Sequence, residues 1–206
     1  SYGVNDKIAS LDYEEYNTSF ERLNATVSAL TGESAEIFKA VNDYSRLGSN
    51  CITSKNDVSF IYSAKNSEKE AHVSFTFTAE YDGEYYFYPS CERNYEVKLR
   101  FDGKYYGTYL GERNDNIIFL GKYNTGDTVT VEVILKDNSL YLLEGFSPIW
   151  YFDETEFKES FNMLAATQLD ISDSFSANNI TGAVKTSKND QIILTTLPYD
   201  IGWNIY

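Results

Sequence analysis

Basic residues are scarce in this 206-residue chain, and histidine, methionine and proline nearly absent. Lys and Arg number 17 against 31 Asp and Glu, a formal charge of −14. A nucleic-acid footprint needs clustered cations to displace counterions, so nucleic acid is excluded as a partner. The lone histidine, His72, has no Gly-x-Ser-x-Gly or other nucleophile signature to work with, and it reads as an ordinary strand-edge residue. Two cysteines, Cys51 and Cys91, stand without a Cys-x-x-Cys spacing, which points away from zinc. They leave two readings: a pair of free thiols, or a disulfide closing a loop of about 40 residues and adding about 4 kcal/mol in the chain-entropy model. Gly103, Gly107 and Gly111 recur inside strand-like sequence, not at a strand-to-helix phosphate loop. Asp170 and Asp173 lack the spacing of a calcium loop. No metal and no cofactor is expected. No apolar run approaches the roughly 20 residues that span a bilayer, and no signal-peptide pattern opens the chain. Beginning at Ser1 without Met and stopping in mid-strand, it reads as a soluble, excised piece.

What is abundant is aromatic: 18 Tyr and 13 Phe, alongside many β-branched residues. Val73, Phe75, Phe77 and Ala79 alternate with Ser74, Thr76 and Thr78, and Val129, Val131, Val133 and Leu135 alternate with Thr128, Thr130 and Glu132, the period of a half-buried strand. Asp82-Gly83 and Asp102-Gly103 have the spelling of two-residue hairpin turns. Strands at about 8–12 residue spacing predict a mainly β fold, a jelly-roll-like antiparallel β-sandwich. Two short helices accompany it. One starts at the capping box Thr18-x-x-Glu21 and carries Phe20, Leu23, Val27 and Leu30 at helical spacing; the other, capped by Asp153, is expected to bury Phe157, Phe161 and Leu164. The expected division is an N-terminal helical segment with a first strand packing on the sandwich (1–50), the sandwich (51–153), and a helix with a truncated, partial β annex (154–206).

Two clusters of candidate site residues stand out. In a two-residue hairpin at Asp102-Gly103, Phe101 faces Lys104, Arg100 pairs with Tyr105, and Glu96 with Tyr109. If Val97 and Leu99 face the core, Tyr105 and Tyr109 are exposed beside Arg100 and Lys98. Such a face suits a sugar, whose C–H groups lie on an aromatic plane while its hydroxyls meet polar neighbours. Equally, Tyr is a good strand residue that covers a sheet and stacks on Arg. The second cluster is a doubled triplet, Glu92-Arg93-Asn94 and Glu112-Arg113-Asn114, between strands. The two loops are ligand contacts or structural turns in which Arg pairs with a carboxylate, and the open geometric question is whether Arg93 and Arg113 converge. Glu92 and Glu112 as the paired carboxylates of a glycoside hydrolase find no other support in the sequence.

Four stretches carry a family resemblance: LNATVSALTGE (23–33), CERNYEVKLRFDGKYYGTYLGERNDNIIFLGKYNTGDTVTVEV (91–133), YFDETEFKESFNML (151–164) and ILTTLPYDIGWNIY (193–206). In this order they resemble the C-terminal extracytoplasmic region of the YfhO-type bacterial membrane proteins. The resemblance implies a large multi-pass protein of Gram-positive bacteria, similar to C-type glycosyltransferases that use a lipid-phosphate sugar donor and linked to lipoteichoic acid glycosylation. The superfamily's catalytic acid lies in an early loop between membrane helices that this chain does not contain, so the fragment itself is expected to be non-catalytic. It is expected on the outer side of the cell membrane, with the membrane-embedded remainder of the parent protein and a glycan or teichoic-acid-type polymer as partners. An independent carbohydrate-binding module and a structural spacer are the alternatives. The family usually runs on through a Val-Asp-Gly-Lys-like turn, whereas this chain ends at Tyr206.

Overall fold

The computed structural model describes residues 2–89, 97–109, 117–135, 139–171, 181–185 and 191–195. In chain order the strands are β1 (Tyr2–Asn5), β2 (Phe38–Ala40), β3 (Tyr44–Ser49), β4 (Cys51–Lys55), β5 (Ser59–Ala64), β6 (Ala71–Thr78), β7 (Gly83–Phe87), β8 (Val97–Phe101), β9 (Lys104–Tyr109), β10 (Ile118–Tyr123), β11 (Thr128–Leu135), β12 (Leu140–Leu143), β13 (Ile149–Phe152), β14 (Asp170–Ile171), β15 (Gly182–Ala183) and β16 (Gln191–Leu194). The helices are α1 (Ser19–Thr31) and α2 (Glu154–Ala165). The chain divides into two compact units, 38–153 and a second made of 1–37 with 154–206. The sandwich therefore begins at Phe38 and not at Cys51, because β2 and β3 are hydrogen-bonded members of its sheets.

Unit 38–153 is an antiparallel β-sandwich. One sheet has the order β3-β6-β11-β8-β9, the other β10-β7-β13-β2, and a smaller sheet, β12-β5-β4, adds to the same core. The alternation in β6 and β11 does what its period dictates: Val73, Phe75, Phe77, Val129, Val131 and Val133 are buried, and they meet Tyr85, Phe87, Ile118 and Ile149 from the four-stranded sheet. Rings bridge the two layers, Phe75 to Phe87 at 5.2 Å and Phe77 to Tyr85 at 5.4 Å between centroids. Each such side chain contributes roughly 1.5–3 kcal/mol by leaving water.

The turn at Asp82-Gly83 departs from the hairpin its spelling predicts. Strand β6 pairs with β3 and β11, and β7 with β10 and β13, so the turn is a corner between sheets. Tyr85, fully buried, closes it: its hydroxyl donates to the Tyr81 carbonyl at 2.9 Å and accepts from the Tyr81 N–H at 3.1 Å. Such a tyrosine corner satisfies two backbone groups that leave the ladder where the chain changes layers. Gly83 has φ +153°, and a Cβ there would lie 2.9 Å from the Tyr151 ring, so glycine serves a close approach. Asp82 serves the same corner, accepting from the Thr125 N–H and hydroxyl at 2.6 and 2.9 Å.

In the other unit, α1 has the capping box its sequence predicts. The Thr18 hydroxyl accepts from the Glu21 N–H, the Glu21 carboxylate accepts from the Thr18 N–H, and Gly32 ends the helix at φ +80°. Phe20 is buried, whereas Leu23 is 40 % exposed. In α2 the expected apolar face is overturned: Phe157 and Phe161 are 40 % and 50 % exposed and stack on each other at 6.4 Å, while Ser160 is buried. The small Ser160 lies on the stripe with half-buried Glu156 and Leu164, so α2 packs against α1 and β1 on a face rotated by one residue from its most apolar stripe. Strands β1 and β16 pair, as do β14 and β15, making the small β annex.

Replacing Tyr85 by Phe removes the hydroxyl and leaves the Tyr81 N–H and carbonyl without their partner. Chemical denaturation is expected to show a loss of about 1–3 kcal/mol, with the far-UV spectrum unchanged.

Candidate functional site

The polar outer face of the five-stranded sheet gathers Glu70, His72, Ser74, Arg100 and Glu132. Register does this: Ser74 lies opposite Glu132 across β6–β11, and Arg100 lies opposite Glu132 across β11–β8. One guanidinium nitrogen of Arg100 donates to Glu70 Oε1, and Nε sits 2.7 Å from Glu132 Oε2, an ionic contact without hydrogen-bond alignment. Glu70, and after it Glu132, hold the guanidinium above even its usual range. His72 lies between the same carboxylates, Nε2 3.4 Å from Glu132 and Nδ1 3.6 Å from Glu70. It is no edge residue, since β6 runs between β3 and β11. Arg100 is thus already neutralised by two acids.

On the hairpin, Phe101 pairs with Lys104 and Arg100 with Tyr105, as the turn spelling predicts. An extra residue, Tyr106, then breaks the register, so that Leu99 lies opposite Gly107 and Tyr109 opposite Val97. Tyr105 remains at the expected position, 61 % exposed, while Tyr109 stands at the register position of Val97 and not of Glu96. The Tyr106 ring packs on Phe101 at 4.4 Å. Arg93, Asn94, Glu112, Arg113 and Asn114 lie outside the described residues, and so does the question of their convergence. Cys91 lies outside them as well. Cys51 is a free thiol that donates to the carbonyls of Ser49 and His72 at 3.2 and 3.4 Å, and burial pushes its pKa up. A raised pKa leaves little thiolate for reaction.

Sequence reasoning passed over two arrangements. Arg46 lies 4.3 Å over the Phe60 ring and 5.5 Å over Tyr62, a cation–π stack at the rim of the core. The outer face of the four-stranded sheet carries a row of aromatics, Phe119, Tyr86, Phe38 and Phe152, with neighbouring centroids 5.2–5.7 Å apart. Beside it, Lys122 Nζ is 3.1 Å from Glu84 Oε1, and the Tyr86 hydroxyl donates to Glu84 Oε2 at 2.9 Å. Lys122, then Tyr86, hold the Glu84 carboxyl below its usual range; burial, then Glu84, push Tyr86 up to about 12. The signal available in sequence was the unbroken aromatic content of β7 and β13, too rich for a sheet with one wet face. Among the described residues no group of His, Cys, Asp and Glu forms a metal site.

Two outcomes follow from these contacts. Arg100→Ala leaves Glu132, 18 % exposed, without its cation and is expected to cost about 1–3 kcal/mol in urea melts, whereas Glu70→Gln at an exposed carboxylate stays within about 0.5 kcal/mol. For Glu84 the folded pKa is depressed, so its stabilisation is complete above the unfolded value of about 4.3 and is lost as pH falls through the lower folded value. Stability of Glu84→Gln, measured between about pH 7 and pH 3, should therefore fall less steeply in acid than that of the parent.

Among the described residues no helix is long and apolar enough to cross a membrane. No curated protein matches the chain. A family model described as bacterial membrane protein YfhO matches residues 2–206. With essentially its whole length covered, the chain belongs to the YfhO family of bacterial membrane proteins.

Proposed function

We propose that this chain is a non-catalytic, extracytoplasmic module of a membrane protein related to the glycosyltransferases that use lipid-linked sugars. In this reading it positions a cell-envelope glycan, or the glycan part of a teichoic-acid-type polymer, for the membrane-embedded remainder of the protein. Family membership and the order of the resembling motifs support the setting.

The observation that carries the binding role is Tyr105, a ring 61 % exposed on edge strand β9, directly opposite an Arg100 whose charge is spent on Glu70 and Glu132. An aromatic plane beside hydrogen-bonding groups whose one cation is outweighed by two carboxylates complements a sugar ring. It does not complement phosphate, which needs uncompensated cations and would be repelled by a chain at −14. The polymer's sugars, not its phosphates, are then what the face recognises.

Titration of the 206-residue chain with a glycosylated teichoic-type polymer, its sugar-free counterpart and neutral glycans tests this. Binding should require the sugar, change little with salt, and weaken about 5–10-fold in Tyr105→Ala, the loss of one aromatic contact. Equal binding of the sugar-free polymer overturns the reading of the face, and sugar transfer by this chain alone from a lipid-linked donor overturns the non-catalytic role.

A further inference from the structure

We propose that a second surface, on the outer face of the four-stranded sheet at β7 and β10, binds one pyranose unit of a neutral glycan. Phe119, backed by Tyr86, would form the stacking plane, and Glu84 with Lys122 the hydrogen-bonding edge. The proposal rests on the glycan reading above and gives it a site on a different sheet from Tyr105.

The backbone is built to assemble these four groups. Phe119 lies opposite Tyr86 and Lys122 opposite Glu84, with one register break between Phe119 and Gly121. Lys122 stands three positions after Phe119, an odd offset that in a regular strand would put them on opposite faces. The bulge inserts Leu120 as the extra residue, and Leu120 is buried while Phe119 and Lys122 both reach solvent. Gly121, at φ +136°, lets the chain make that bulge. Bulges of this kind re-aim a side chain, and here the re-aimed group is the ammonium beside the aromatic row.

The chemistry of the four groups is that of a sugar site. Phe119 is 44 % exposed and its ring is held against half-buried Tyr86, 5.4 Å between centroids at an interplanar angle of 52°, so Phe119 presents a fixed apolar surface to a ring's C–H face. Among the described residues each Glu84 oxygen has one partner, Lys122 or Tyr86, and an ionised carboxylate offers about four acceptor positions, so capacity remains for hydroxyl donors. Lys122, with three N–H donors and an exposed side chain, has donors left for hydroxyl acceptors. One cation and one anion cancel, which favours an uncharged ligand over a phosphorylated one. Among the described residues β10 is paired on one side only, with β7.

Isothermal titration of the 206-residue chain with neutral gluco-, galacto- and manno-configured trisaccharides tests the surface. At least one is expected to bind, with affinity reduced about tenfold in Phe119→Ala and retained in Phe119→Trp, and reduced several-fold in Lys122→Ala. Tyr105→Ala should leave this site within about twofold. Absence of binding by every trisaccharide, or binding indifferent to both Phe119→Ala and Lys122→Ala, overturns the proposal. Loss confined to Tyr105→Ala also overturns it and leaves the proposed function standing. Trisaccharide binding that depends on Phe119, without any binding of the envelope polymer, supports this surface and overturns acceptor positioning instead. Should Phe119→Ala fail to fold, the contrast between Lys122→Ala and Phe119→Trp decides.

Discussion

The sandwich depends on the way Tyr85 holds the corner between β6 and β7. Its hydroxyl takes both the N–H and the carbonyl of Tyr81, while its ring meets Phe77, Tyr151 and Tyr123 at centroid distances of 5.4, 5.3 and 6.1 Å. One side chain thus satisfies the turn and fills the end of the core. A phenol can do this because its apolar body and polar tip are separated by the length of a ring. With the corner closed, β6 and β7 belong to opposite layers, and each sheet acquires an outer face of its own.

Those faces differ in kind. On the five-stranded sheet the outward positions are mainly hydroxyls and charges, among them Ser74, Thr76, Thr130, Glu132 and Arg100, with Leu47 exposed beside Ser74, and the Arg100 and Glu132 charges pair with one another. Beside Tyr105, too, carboxylates outnumber cations, since Arg100 is shared by Glu70 and Glu132 and no uncompensated cation is left there. On the four-stranded sheet the outward positions are aromatic, with Trp150 5 % exposed and Phe119 44 %. Both surfaces combine rings with paired charges, which is why a neutral, hydroxyl-rich ligand fits them better than a polyanion.

Much of this was legible in the residues. The capping box at Thr18 and Glu21, the alternation of Val73 to Ala79 and of Val129 to Leu135, and the Asp102-Gly103 turn with its Arg100–Tyr105 pair each rest on interactions within a few residues or on strict period two. What escaped were features with a distant partner. Asp82-Gly83 spells a hairpin, yet the aromatic partners of Tyr85 come from β6, β10 and β13 and open it into a corner. The extra residues Tyr106 and Leu120 are invisible as bulges until β8 and β7 lie beside them. Helix α2 has an apolar stripe through Phe157 and Phe161, but the surface it packs on selects Ser160.

The sequence alone determined the class of fold, most strand and helix positions, the membership of the core and the family likeness, because hydrophobic period, caps and turn residues act locally. Only the tertiary structure decided which strands share a sheet, that Arg100 is neutralised by Glu70 and Glu132, that Tyr109 pairs with Val97, and that Phe119 and Lys122 share a face. Each of those turns on register, and a single inserted residue reverses every side chain beyond it.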